Sequence, residues 1–261
     1  MIGVGSPMAQ LRVHVHGHTG TVILNRPEKR NALSRSLLAE LVQALHDLHL
    51  ERAVRAVVLA GAGSAFCAGM DLTEMLQTSR SPDAHAQWYH DAVAYRDLVE
   101  QMLRFPKPLI AAVQGPALAG GLGLVLACDY VLAAPEAVFG LPEPRRGIVA
   151  GMVAPLVLFR LGGSQAARLL VFASTIDAAE AHRIGLCHEI LPGERLWARA
   201  NELAADTARS APEAVRLSKQ LLNETLGEHL FTQLSAGAAA SAAARTTEAA
   251  AEGLAAFVEK R

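Results

Sequence analysis

Cysteine is scarce in this chain: Cys67, Cys128 and Cys187 are the only three, and no two of them form a CxxC pair. An odd, scattered set supports neither a disulfide framework nor a zinc site, and points to a reducing, cytoplasmic setting. An excess of one charge is also missing. Twenty-four Lys and Arg oppose 25 Asp and Glu, which argues against a nucleic-acid binder held by phosphate neutralisation. There is no Gly-x-Ser-x-Gly, so a nucleophile elbow has no support. There is no Walker A sequence, and no strand-linked GxGxxG with a following acidic residue. Met1–Gln10 lacks a basic n-region and an apolar h-region, so it reads as a disordered leader, not a signal peptide. The most informative lack is local. No carboxylate occurs from Lys107 to Cys128, so acid–base chemistry there must take its proton carrier from another segment.

What is present is a large apolar complement. The chain is 51% hydrophobic over 261 residues, enough for one sizeable core. Leu109–Cys128 mimics a membrane span, with Gln114 its one clearly polar side chain. Gly115, Pro116, Gly120, Gly121 and Gly123 interrupt it, and no basic cluster flanks it. A buried strand, a tight turn and a glycine-rich helix start explain it better.

The coarse pattern is α/β. Leu11–His16 and Thr21–Asn25 read as strands around a turn. Ser34 caps a helix to about Arg52, with Leu37, Leu38, Leu41, Leu45 and Leu48 on one face. Val54–Ala60 and Leu109–Val113 read as strands of a parallel sheet covered on both faces. Asp71 caps a short helix, with Glu74 as a capping-box partner; Asp83–Arg104 is a longer amphipathic helix. After Gly151 the chain turns helical, and Ser235–Lys260 is an Ala-rich tail of high helix propensity. A faint echo links Val57–Gly61, leading to Ala68-Gly69, with Leu109–Val113, leading to Ala119-Gly120. A coiled repeat of like units accounts for it, as does ordinary α/β packing.

Two backbone donors on separate loops that converge on one point form an oxyanion hole. The N–H groups of Ala68 and Gly120 are the candidates, because small residues admit a substrate carbonyl close to the backbone. Glu143 lies between apolar residues and two prolines in Phe139-Gly140-Leu141-Pro142-Glu143-Pro144. Burial would raise its pKa into the range of a general base; a surface loop glutamate fits the local sequence equally. His14, His16 and His18 alternate but read as hairpin surface residues, not a metal site. Cys67 reads as a small packing residue, and Arg145 and Arg146 as a solvated face.

These residues carry a resemblance to the crotonase, or enoyl-CoA hydratase/isomerase, superfamily. The motifs are Leu24-Asn25-Arg26-Pro27 with Asn31-Ala32-Leu33, then Ala65-Phe66-Cys67-Ala68-Gly69-Met70-Asp71-Leu72, then Lys107–Gly115 with Ala119-Gly120-Gly121 and Cys128-Asp129. Phe139-Gly140-Leu141-Pro142-Glu143 with Gly147-Ile148, and Ala256–Arg261 at the tail, complete them. The resemblance implies a spiral of ββα units over 11–192 and a C-terminal helical trimerisation region over 193–261. It implies a homotrimer or dimer of trimers, and no partner nucleic acid or membrane. The substrate it implies is an acyl-CoA thioester, with no cofactor beyond the CoA moiety. Arg26, Lys29, Arg30, Cys67, Met70, Asp71 and Leu72 would lie along the CoA, and Phe257 and Lys260 match tail positions that reach a neighbouring subunit's CoA.

The departures decide the reaction. Hydratases of this family resemble one another in carrying two glutamates; here the first position is Gly123 and the second is Glu143. The family's lysine after the Ala-Gly-x-Asp motif is Thr73. Hydration divides its proton work between two carboxylates, whereas moving a double bond needs one base. The expectation is therefore Δ3–Δ2-enoyl-CoA isomerisation with Glu143 as acid and base. A 2-enoyl-CoA hydratase using one carboxylate and a non-catalytic acyl-CoA binder are the alternatives. Gly123→Glu would be the direct way to restore the second carboxylate. The Trp88 helix and the Gly151–Leu161 segment are expected to shape the acyl pocket.

Overall fold

The computed structural model describes residues 10–225 and 227–259. Nine residues of the expected leader, and Lys260, lie outside them. The chain opens on an antiparallel hairpin, β1 (Leu11–His16) and β2 (Thr19–Leu24). Strand β2 starts two residues earlier than its sequence suggests, because Gly17, at φ 56°, makes the turn within two residues.

Helix α1 (Arg35–Leu50) begins where Ser34 accepts from the Leu37 N–H, and buries the leucine face read from the sequence. There follow β3 (Ala56–Gly61), α2 (Leu72–Thr78), α3 (Ala84–Arg104), β4 (Leu109–Val113), β5 (Ala117–Leu118) and α4 (Gly120–Ala127). Then come β6 (Tyr130–Ala133), β7 (Val138–Gly140), α5 (Ala154–Leu170), β8 (Thr175–Asp177), α6 (Ala178–Arg183) and β9 (Glu189–Ile190). Helices α7 (Leu196–Ala208), α8 (Pro212–Gln220), α9 (Glu228–Ala244) and α10 (Glu248–Val258) close the chain.

Asp71 caps α2 through the Thr73 N–H at 3.0 Å. The expected capping box does not close, since the Glu74 carboxylate accepts instead from the Arg35 N–H at 3.0 Å. The apolar run that mimics a membrane span is divided among β4, β5 and α4, and no helix among the described residues is long and apolar enough to cross a membrane.

Six strands pair in the order β1-β2-β3-β4-β6-β9, parallel after the hairpin. A small second sheet, β5-β7-β8, stands beside it. Alternation assigns each side chain its layer. Val57, Leu59, Leu109, Ala111 and Val131 point into the main core with α1, α3 and α4. Val58, Ile110, Ala112 and Leu132 meet Leu196, Ala200 and Ala204 of α7 on the other face. Helix α7, which follows residue 192, thus packs against the same sheet as the elements before it. Helix α9 packs on α3 and α5, and α10 packs on α2 and the turn at Glu143–Arg146. The C-terminal helices thus fold over the same chain's glycine-rich segment and Glu143.

Candidate active site

The segments that follow β2, β3 and β4 meet at two short parallel bridges. Cys67 pairs with Ala117, and Leu33 with Met70. The Leu118 N–H donates to the Cys67 carbonyl at 2.9 Å. Gly69 sits at φ 94°, and a Cβ there would stand 2.5 Å from Ala119 Cβ and 3.1 Å from the Gly120 nitrogen. Only glycine permits both that dihedral and that approach. Ala119 itself holds φ 54°, ψ −129°, a conformation costly for a residue with a side chain. Its N–H donates to the Gly140 carbonyl at 2.9 Å, which ties the start of α4 to the strand leading to Glu143.

The donor pair differs from the sequence expectation. The Ala68 N–H already donates to the Arg30 carbonyl at 3.0 Å, and a proton so engaged is not available to a substrate oxygen. Met70 is better placed. In its bridge the bonds to Leu33 use the flanking Gly69 carbonyl and Asp71 N–H, so the N–H of Met70 faces away from Leu33. It makes no hydrogen bond among the described residues, and Met70 lines the cavity beside Gly120. The Gly120 N–H, in the first turn of α4, has no intrahelical acceptor. Two unpaired amides at one cavity wall can receive a developing oxyanion.

That cavity opens to solvent. Glu143 is the one carboxylate among the described residues that line it. It is 7% exposed, and its Oε2 has no hydrogen-bond partner. Burial pushes its carboxyl up to about 7, against a smaller pull downward from its own backbone N–H and from Arg146. A carboxyl at that value exchanges protons readily near neutral pH, so the surface-loop alternative is set aside. Arg146 is half-buried, lines the cavity, and lays its guanidinium 4.7 Å from the Phe257 ring centre; only Arg145 of the two is exposed.

The vacancy at Gly123 is filled. A Cβ at this position would collide with the hydroxyl of Tyr95, from α3, and press on Val153. Tyr95 is buried and donates to the Gly120 carbonyl at 2.5 Å. Burial first, then nearby Cys67 and Glu143, hold its pKa well above the usual value, so it stays protonated. Simple Gly123→Glu therefore cannot restore a second carboxylate without displacing Tyr95. Tyr95 was not marked by the sequence; its i, i+3 and i+4 spacing within an amphipathic helix looks like ordinary core. The Trp88 helix reaches the cavity through Tyr95, and the Gly151–Leu161 segment reaches it through Met152 and Val153; Trp88 itself packs with Met75, Ala242 and Leu254.

Comparison with known proteins agrees with this architecture. The family model described as Enoyl-CoA hydratase/isomerase matches residues 17–261. A Thermus thermophilus protein named "Putative enoyl-CoA hydratase" is 40% identical, covering 94% of this chain and 96% of its own. The Short-chain-enoyl-CoA hydratase of Clostridium acetobutylicum is 36% identical over 94% of this chain and 93% of its own. The crystal structure of an enoyl-CoA hydratase/isomerase from Xanthobacter autotrophicus Py2 superposes with TM-score 0.86 at 30% identity, covering 96% of this chain and 92% of that one. The chain belongs to the enoyl-CoA hydratase/isomerase family.

Against the family's pattern, the residues expected along the CoA divide into two groups. Lys29 and Arg30 are exposed on the turn after β2, and Met70 and Leu72 line the cavity. Arg26, Asp71 and Cys67 are occupied by architecture. Arg26 pairs with Asp71 at 2.9 Å and donates to the Ala32 carbonyl, which staples the turn to the start of α2. Asp71 stays ionised, its pKa lowered because the Arg26 and Thr73 bonds outweigh burial. The Cys67 thiol is buried, donates to the Asn31 carbonyl at 3.1 Å, and is pushed by burial up to about 12. Phe257 is 50% exposed and stacks under Arg146 of its own chain. Among the histidines, His18 reaches the Ala53 carbonyl and His16 leans on Trp197.

Proposed function

We propose that the chain isomerises an enoyl-CoA thioester, moving a Δ3 double bond to Δ2 through an enolate held by backbone amides. The observation that carries this reading is the closed position at Gly123, which leaves Glu143 as the one carboxylate at the cavity. The thioester oxygen sits between the N–H groups of Met70 and Gly120. Glu143, its carboxyl pushed by burial up to about 7, takes a proton from C2 when ionised. The enolate charge rests on the two amides, and the protonated Glu143 returns the proton at C4. No water need enter between the two transfers. Lys29 and Arg30, exposed on the turn after β2, would meet the CoA phosphates. A homotrimer or dimer of trimers would cover exposed Val171, Phe172, Leu221 and Leu222, and light scattering measures it.

A second reading, single-carboxylate hydration of a 2-enoyl-CoA, is favoured by the hydratase names of the relatives. The two part cleanly in an assay of purified protein with 3-enoyl- and 2-enoyl-CoA, wild type beside Glu143→Gln. Isomerisation lost in the variant supports the first reading. Hydration by the wild type without isomerisation supports the second. Tight acyl-CoA binding with neither turnover leaves a binder.

A further inference from the structure

The cavity holds a second buried ion besides Glu143. Arg245, at the C-terminal end of α9, is 5% exposed and lines the cavity with Ser241 and Met75. Its Nε is buried without a partner. Its Nη groups make two long bonds, 3.4 Å to the Trp88 carbonyl and 3.5 Å to Ser241 Oγ. Asp91, the acid that acts on it electrostatically, is committed elsewhere: Arg35 holds it at 2.7 Å through both carboxylate oxygens, and Gln87 adds a third bond. Burial lowers the Arg245 pKa to about 10, partly offset by Asp91, so the guanidinium is charged at neutral pH. A buried cation with no direct ion pair is disfavoured unless an anion joins it. The apolar wall of Met75, Met152 and Val153 suits an acyl chain, and nothing apolar would satisfy Arg245.

We infer that the acyl group of the substrate carries a carboxylate at its far end, and that Arg245 with Ser241 receives it. This rests on the acyl-CoA reading of the cavity, and holds for isomerisation and hydration alike. It makes the substrate a CoA monoester of a dicarboxylic acid. Guanidinium and carboxylate match in a two-bond fork, which uses the idle Nε.

Calorimetric binding of unreactive saturated thioesters tests it: glutaryl-CoA and adipyl-CoA against pentanoyl-CoA and hexanoyl-CoA, each pair differing by carboxylate for methyl. The wild type should bind at least one carboxylated member about tenfold or more tighter than its neutral match. In Arg245→Met that ratio should fall to about one, and Arg245→Lys should keep part of it. Equal affinities in the wild type overturn the inference alone, whether or not the variants fold. A preference that persists undiminished in folded Arg245→Met overturns it too. Absence of saturable binding by every thioester overturns the acyl-CoA reading and the inference with it.

Discussion

Two polar regions of this molecule adjoin at Met70–Leu72 and behave oppositely. In the clamp below the cavity, charges and amides are used up. Asn31, at φ 55°, donates from Nδ2 toward the carbonyls of Ala62, Ala65 and Phe66, and its Oδ1 accepts from the Arg26 N–H. Arg26 and Asp71 neutralise each other. In the cavity wall, Glu143 Oε2 and Arg245 Nε are buried with no partner at all. A folded chain tolerates such orphans only where something else compensates. The clamp sets the position of the Gly69–Gly120 junction; the wall keeps its hydrogen-bonding capacity for a ligand. An arginine in a family motif is thus not a substrate contact by virtue of the motif: Arg26 is architecture, whereas Arg245, outside every motif, has the free capacity.

The largest effect that would test this contrast is on turnover. Glu143→Gln should lower kcat by about 10²–10⁴-fold while saturated acyl-CoA still binds; undiminished turnover would move the proton work elsewhere. In the clamp, the effect should be on stability. Asn31→Ala leaves backbone carbonyls with no donor and should cost about 3 kcal/mol in urea unfolding. A loss well under 1 kcal/mol would mean that the clamp is not held by this amide.

Glu143 should also oppose folding, where the clamp supports it. Its pKa of about 7 when folded, against 4.5 ordinarily, means that the folded state keeps a proton the unfolded state has released. Stability is then lost as pH rises from about 4.5 through 7, and levels off above. Glu143→Gln removes that loss. The variant should be more stable than wild type by on the order of 2 kcal/mol at pH 8 and near equal at pH 4; a pH-independent difference would contradict the burial of an unpartnered carboxyl. The smallest effect is a coupling. Gly123→Ala should destabilise through collision with the Tyr95 hydroxyl. Tyr95→Phe removes the atom struck, so the double variant should be less destabilised than the two singles added, by about 1 kcal/mol. Simple additivity would mean that Tyr95 does not fill the Gly123 site.

Much of the frame is legible in the sequence. The helix capped by Ser34, the two-sided burial of β3 and β4 and the family itself follow from local patterns; the burial of Glu143 does not, since a surface loop fits its neighbours as well. Hydrophobic period, capping chemistry and motif order are all properties of neighbours in the chain. The misplaced donor had a different origin. Ala68 and Met70 flank Gly69, and side-chain size favours Ala68; only the hydrogen bonds of Leu33 and Arg30 show which N–H is consumed and which is not.

The sequence by itself determined that α/β units wind into one core, that two glycine-bearing loops follow β3 and β4, and that no acid accompanies the second loop. Tertiary structure decided what stands in the missing acid's place and which ions are left unpaired. Tyr95 reaches Gly123 across 28 residues of chain and Arg245 reaches the same cavity from α9, contacts that no local pattern encodes. Hydrogen-bond capacity is a property of neighbours in space. Whether a buried arginine or amide is satisfied becomes known only when the packing that surrounds it is in place.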